Sequence, residues 1–263
     1  MLWRNMNPTI GLVVSPAEKA QVVAKFVKDC FNTVDEDNID QADVIVVLGG
    51  DGTMLNAIHQ NMTRGIPFYG INCGSVGFLM NELEKPTADV GVKIRAAVES
   101  TINPIRVEYW TEDGENSSTL AINDVSLMRQ SSQAAKLRIK INNEVKLEEL
   151  IGDGLIVSTP VGSTAYNRSA GGPIIPLEAP LLAITPICAF RPRQWKGAII
   201  PDHLAIDIDV LENTHRHVML SADSFEVRNV VHVNVELAKN SFKILSDPGR
   251  SWSDKLLNEQ FYG

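Results

Sequence analysis

The sequence predicts an α/β domain built on a parallel sheet, followed by a β-rich domain. Three observations carry that expectation. Strand-like and helix-like patterns alternate over the first hundred residues. Apolar residues fall at every second position beyond about Asn103. Glycine pairs stand where the early strands should end.

Thr9 to Val14 is a short apolar run and predicts the first strand. Pro16 then opens a stretch with Ala20, Val23, Phe26, Val27, Cys30 and Phe31 at helical spacing. Val44 to Leu48 is an uninterrupted β-branched and aliphatic run, which suits a central strand buried on both faces. Gly49-Gly50 ends it, and a helix from about Met54 to Gln60 should follow. Ile66 to Ile71 repeats the strand pattern and runs into Gly74 and Gly77, ahead of a helix expected between Thr87 and Val98. In the second half, Arg106 to Trp110, Lys136 to Ile141, Leu204 to Val210 and Val230 to Leu237 alternate as half-buried strands do. Asp113-Gly114 and Asn142-Asn143 supply turns between some of them. Phe242 to Leu245 is the last strand candidate, and Trp252, Leu256, Leu257 and Phe261 mark an amphipathic tail expected to dock as a helix. With no repeat, low-complexity tract or long linker, the boundary near residue 100 is expected to be a hinge between packed domains. The domains are predicted as residues 1–100 and 101–246, with the tail 247–263 packing back on the first.

A chain of 263 residues, 44% apolar and 21% charged, has the composition of a folded globular protein and not of a disordered one. Its net charge of −8 offers no general basic field for nucleic acid or an anionic membrane surface, so neither is an expected partner. Cys30, Cys73 and Cys188 are an odd number without paired spacing, which suggests free thiols and a reducing compartment. The first residues lack the charged-then-apolar order of a secretory signal, and no apolar segment is long enough to span a bilayer. A cytoplasmic location is expected.

Gly49-Gly50-Asp51-Gly52-Thr53 lies where a buried strand gives way to a helix, at the edge where open α/β sheets bind ligands. Glycines let backbone N–H groups approach phosphate oxygens, and a helix start adds favourable positive character. Asp51 needs another explanation, because a carboxylate repels phosphate. It could hold a Mg²⁺ that bridges phosphates, accept a hydrogen bond from an attacking hydroxyl, or cap the helix expected near Met54. Neither a Walker A ending nor the dinucleotide fingerprint G-x-G-x-x-G occurs in the chain.

This turn resembles the signature shared by NAD kinases, diacylglycerol and sphingosine kinases and, more distantly, 6-phosphofructokinases. Three further segments are similar to NAD kinases in particular. Gly70-Ile71-Asn72-Cys73-Gly74-Ser75-Val76-Gly77-Phe78-Leu79 matches that family's second glycine loop at every fixed position; Phe78 could offer a face to a base or nicotinamide ring, and Leu79 reads as core. Asn123-Asp124 resembles the family's Asn-Glu pair, which implies contacts to ribose hydroxyls and adenine; Asp124 draws the carboxylate back by about 1.5 Å relative to Glu. The third likeness covers the stretch Gly152 to Pro173. There the resemblance implies a dinucleotide site with Asp153, Thr164, Ala165, Tyr166, Asn167, Arg168 and Ser169 as contacts, Tyr166 packing on a planar base. Cys188 matches a region that lines the adenine pocket, and Asp223 is a weaker candidate beyond the strand Val218 to Ser221.

The likeness spans nearly the whole chain, including Ser251-Trp252 and Phe261, and is weakest between about Asn5 and Asp40. It implies the two-domain fold already read from periodicity, with substrate in the cleft between the domains. It also implies transfer of a phosphoryl group from ATP to the adenosine ribose 2′-hydroxyl of NAD. Asp51 would be the base, Gly49, Gly50, Gly52 and Thr53 would receive phosphates, and Mg²⁺ or another divalent cation would be carried by the nucleotide. A homodimer or homotetramer is the implied assembly. Two alternatives remain: a lipid kinase using the same turn, against which stands the lack of a basic amphipathic anchor, and a non-catalytic NAD-sensing module. His59, the pair His215 and His217, and the basic group Arg191, Arg193 and Lys196 are read as surface or turn residues.

Overall fold

The computed structural model describes residues 7–74, 77–83, 90–249 and 255–256. Elements appear in the chain in the order β1 (Ile10–Val14), α1 (Glu18–Cys30), β2 (Thr33–Val34), β3 (Val44–Gly49), α2 (Asp51–Asn61), β4 (Phe68–Asn72), α3 (Val90–Ala96) and β5 (Val98–Ile102). An antiparallel series follows: β6 (Ile105–Thr111), β7 (Asn116–Ala121), β8 (Asp124–Arg129), β9 (Ala135–Ile141), β10 (Glu144–Gly152), β11 (Gly154–Ser158), a single-turn α4 (Tyr166–Ser169), β12 (Leu181–Ile187), β13 (Ala198–Pro201), β14 (Ile206–Val210), β15 (Val218–Ala222) and β16 (Phe225–Leu237). The last strand is β17 (Phe242–Ser246). Two compact units result, one of Met1–Ile102 with Asn240–Gly263, the other of Asn103–Lys239.

In the first unit six strands form one sheet in the order β2-β1-β3-β4-β17-β5. β1, β2, β3, β4 and β17 run parallel, whereas β5 pairs antiparallel with β17 at the edge. The sheet is therefore mixed where a parallel one was expected, a common arrangement at the rim of such sheets. The place beside β4 is taken by β17, 170 residues downstream of it in sequence order, so this strand belongs with the first unit and not with the second. β3 is buried along its whole length, as its unbroken Val-Ile-Val-Val-Leu predicts. α1 buries Ala20, Val23, Ala24 and Val27 against that sheet. α2 begins at Asp51, three residues earlier than expected, with Gly50 as its N-cap. Asp51 is thus a first-turn residue and not a cap. Of the helix expected from Thr87 to Val98, α3 covers Val90–Ala96, and the stretch 84–89 lies outside the described residues. So do Ser75 and Val76, and in the tail Ser251, Trp252, Leu257 and Phe261. Lys255 and Leu256 are described, both helical, with Leu256 buried.

The second unit is an eleven-stranded sheet whose main path runs β10-β9-β14-β16-β15-β8-β11-β12-β13, with β6 and β7 joined through β16. Alternation appears as predicted in β6, β9 and β14, and β15 also buries every second side chain. Leu127, Leu137, Ile139, Leu155, Ile208 and Val233 sit in the resulting core. Asn142 and Asn143 both take positive φ in the turn between β9 and β10, which asparagine tolerates well. β11 is wholly buried and β8 buried over its first four residues, so these are interior strands. Their paired ends put Asp124 opposite Ser158.

Candidate functional site

In the first unit, β3 ends at Gly49 and the chain turns directly into α2. A Cβ on Gly49 would lie 2.4 Å from Thr53 Oγ1, so this glycine is required by packing. At Gly50 and Gly52 a Cβ would meet nothing within 4 Å, and neither residue takes a positive φ. The fold itself does not need glycine there. What glycine supplies is bare backbone at a helix start, where N–H groups are unpaired by the helix and suit an anion.

Asp51 faces the second glycine loop. The N–H of Phe78 donates to its Oδ2 at 2.8 Å and that of Leu79 to its Oδ1 at 3.0 Å. Two backbone donors fix the carboxylate's orientation. Gly77 makes this approach possible, because a Cβ there would stand 3.0 Å from Asp51 Oδ1 and 2.8 Å from Met80 Cγ. The loop is closed at its base by Asn72 N–H to Asn81 O and Asn81 N–H to Gly70 O, both 2.8 Å. Asn81 is buried; its amide donates to Gly70 O and Leu245 O, and its Oδ1 accepts from the N–H of Asp247. Asp247 in turn accepts from the Tyr69 hydroxyl at 2.6 Å and pairs with Lys93 at 3.0 Å. Burial, reinforced by that carboxylate, raises the Tyr69 phenol far above its ordinary range.

In the second unit the segment 122–124 is held from several sides. Asp223, itself at positive φ, accepts from the N–H of Ile122 at 2.7 Å and of Asn123 at 2.9 Å. Thr159 donates through its hydroxyl to the Ile122 carbonyl at 2.7 Å and accepts from the N–H of Gly162. A Cβ on Gly162 would come within 2.1 Å of the Asn123 carbonyl oxygen. Asp124 is only 9% exposed, and its acidity reflects that: burial first, then the charge of Asp223, push its pKa up to about 7.

Tyr166, Asp124, Asp153 and Cys188, all expected contacts, lie close enough for their charges to interact. Tyr166 is half-open to solvent, and its phenol pKa is raised by partial burial and then by the negative charge of Cys188, Asp124 and Asp153. Its hydroxyl donates toward Met128 Sδ at 3.5 Å. Asp153 pairs with Arg129 at 2.6 Å. Cys188 is exposed at positive φ. Thr164 and Ala165 are partly exposed and Ser169 is exposed, on the short turns that follow β11.

The sequence matches the family model for the ATP-NAD kinase N-terminal domain over residues 11–94 and that for the ATP-NAD kinase C-terminal domain over residues 122–246. It is 48% identical over 254 residues to the NAD kinase of Rhizobium meliloti, covering 96% of this chain and 97% of that protein. It is 52% identical over 223 residues to the NAD kinase of Brucella suis, covering 84% and 86%. The chain belongs to the NAD kinase family. Its fold is similar to that of yeast NADH kinase complexed with NADH, with a TM-score of 0.81 at 21% identity and 98% and 88% of the two chains covered. An NAD kinase from Archaeoglobus fulgidus in complex with ATP is similar at a TM-score of 0.75 and 21% identity, covering 92% and 95%.

Two residues expected as NAD contacts are hydrogen-bonded into the fold of this NAD kinase family member. Asn167 is completely enclosed: its amide donates to Pro173 O at 2.8 Å and Ser163 O at 3.2 Å, and its Oδ1 accepts from the Thr185 hydroxyl at 2.6 Å. Its side chain therefore staples the loop. Asp223 accepts from the backbone N–H groups beside Asp124 and so braces that segment. Arg129, Thr159 and Asn81 were not singled out from sequence. Arg129 carried no signal beyond its strand position, since its partner Asp153 lies 24 residues on. Among the described residues, no group of three His, Cys, Asp or Glu side chains is arranged to hold a metal ion.

Proposed function

We propose that this chain transfers the terminal phosphoryl group of ATP to the adenosine ribose 2′-hydroxyl of NAD, giving NADP, with Asp51 accepting the hydroxyl proton. The observation that carries this reading is the Asp51 carboxylate, oriented by the Phe78 and Leu79 N–H groups at the start of α2 beside two glycines that packing does not require. Phosphoryl transfer depends chiefly on aligning the attacking oxygen and offsetting the charge that develops. Asp51 does the first. The backbone of Gly50, Gly52 and the Thr53 side chain would receive phosphate oxygens, while Gly49 keeps the strand close to Thr53.

A divalent cation such as Mg²⁺ fits here as a passenger of the triphosphate, because both Asp51 oxygens are already hydrogen-bonded and Asp51 is the acidic residue of the turn. When bound, it would screen the negative charge of the phosphates. NAD is assigned to Asn123, Asp124, Asp153, Thr164, Ala165, Tyr166, Arg168, Ser169 and Cys188 in the second unit. Asp124, with a pKa of about 7, can either donate to or accept from a ribose hydroxyl. The relatives named above are NAD kinases at up to 52% identity, which favours NAD over a lipid acceptor. We further infer a cytoplasmic homodimer or homotetramer, to be checked by light scattering and cell fractionation.

The direct test mixes purified protein with Mg-ATP and NAD and detects NADP with an NADP-specific dehydrogenase. NADP formation that depends on both substrates is expected. Its absence, with the protein folded and NAD bound, would sink the proposal. The same assay with polyphosphate in place of ATP and NADH in place of NAD fixes donor and acceptor preference.

A further inference from the structure

Asp51 is held by two peptide N–H groups, and one of those peptides is itself gripped from behind. Lys255, in the C-terminal tail, donates through Nζ to the carbonyl oxygen of Phe78 at 3.0 Å and to that of Met80 at 2.5 Å. The Phe78 carbonyl and the Leu79 N–H belong to the same peptide group. An ammonium on one end and a carboxylate on the other polarise that group in the same sense, and each hydrogen bond strengthens the other. A continuous relay therefore runs from Lys255 Nζ through the Phe78–Leu79 peptide to Asp51 Oδ1.

The rest of the loop supports the same end. Asn81 ties the end of the loop to β4 and β17 through Gly70 O and Leu245 O, and accepts from the N–H of Asp247. Within it, the carbonyls of Phe78 and Met80 are turned toward Lys255 while the N–H groups of Phe78 and Leu79 are turned toward Asp51. Leu256, next in the tail, is buried, which anchors the residue that carries the charge.

We propose that Lys255 is a positioning residue for phosphoryl transfer, which holds the Asp51 carboxylate in its working orientation through the Phe78–Leu79 peptide. The inference rests on the reading of Asp51 as the base. A small loss of alignment at a reacting oxygen is costly, so removing the charge should lower kcat by about tenfold or more.

The test compares Lys255→Met, Lys255→Arg, Asp51→Asn and the double variant Lys255→Met with Asp51→Asn, by steady-state kinetics and thermal melting of the full chain. Lys255→Met is expected to lose kcat about tenfold with KM for NAD and ATP changed less than about twofold. Lys255→Arg should recover most of it. In the Asp51→Asn background Lys255→Met should cost less than about twofold, because the group it acts through is gone. A kcat unchanged in Lys255→Met, a loss confined to KM, or an equal loss in the Asp51→Asn background would overturn the inference. Should Lys255→Met melt below the assay temperature, Lys255→Gln, which keeps a donor without the charge, carries the same comparison. Near-normal turnover in Asp51→Asn would instead overturn the assignment of the base.

Discussion

A Cβ added at Gly50 or Gly52 of the first unit would meet nothing within 4 Å, whereas at Gly154, Gly162 and Gly172 of the second it would come within 1.9, 2.1 and 2.2 Å of Leu127 O, Asn123 O and Asn167 Oδ1. Both regions are rich in glycine, and by composition they look alike. In the second unit Gly154 and Gly162 let the chain press against its own backbone, which fixes Asn123, and Gly172 lets it press against the Asn167 side chain, which closes the 162–172 loop. At Gly50 and Gly52 of the first it leaves a helix start uncovered. Glycine density is thus no measure of ligand binding; the space in front of the missing Cβ is.

The polar groups differ in the same way. In the first unit backbone donors hold a carboxylate, Asp51, in one orientation. In the second a carboxylate, Asp124, is buried beside a second one and resists charge. One has both oxygens fixed by peptide donors, the other can exchange hydrogen-bond roles near neutrality.

The largest test of this contrast is at Asp51. Asp51→Asn places an amide NH₂ against one of two fixed N–H donors and removes the base. Turnover should fall by about 10²- to 10⁴-fold while the dissociation constant for NAD stays close to that of the parent. NADP formation under saturating substrates and calorimetric NAD binding measure the two. Loss of NAD binding in step with turnover would show that Asp51 serves the second unit's task and would break the division.

Gly162→Ala probes the opposite kind of glycine. Its Cβ would collide with backbone and not with the end of a flexible side chain, so the 122–124 segment must move. A loss of about 3 kcal/mol of stability is expected, read as a lowered melting temperature, with a raised KM for NAD and little change in KM for ATP. A normal melting curve would mean that the close approach at Asn123 is not a constraint.

Asp124 gives the pH arm. Its folded pKa of about 7 lies above the unfolded value of 3.8, so the folded state binds this proton more tightly than the unfolded chain does. Stability from this group is fully present below about pH 4 and is lost as pH rises through about 7, a change of at most roughly 4 kcal/mol. Asp124→Asn should remove that loss. Relative to the parent, its melting temperature should climb between pH 5 and pH 8. A difference that stays flat across that range would show that burial beside Asp223 is not what governs Asp124.

How much of this was legible beforehand followed from how local the signal was. The strand-glycine-helix turn at 49–53 and the Asn123-Asp124 pair are contiguous, so sequence pointed to them directly. The alternation of β6, β9 and β14 was likewise a short-range pattern. The enclosure of Asn167 was not legible because it depends on Thr185 and Pro173, partners that the local string of small polar residues does not reveal. The direction of β5 and the place of β17 were set by pairing between strands remote in sequence. Lys255 is 177 residues from Phe78, and nothing in the tail's amphipathic spacing marks it as reaching the Asp51 loop.

The smallest effect expected is the most diagnostic of what the open glycines are for. Gly52 is an exposed residue in the first turn of α2, at ordinary helical φ, with free space where a Cβ would go. By helix propensity alone, Gly52→Ala should stabilise the fold by up to about 1 kcal/mol, since alanine loses less backbone freedom on folding. If instead its backbone is bare so that phosphate can approach, the same methyl group should stand in the way. Melting temperature should then rise slightly while KM for ATP increases and KM for NAD does not. A variant that is more stable and binds ATP unchanged would leave Gly52 without a functional reason, and the contrast between the two units would shrink to Asp51 alone.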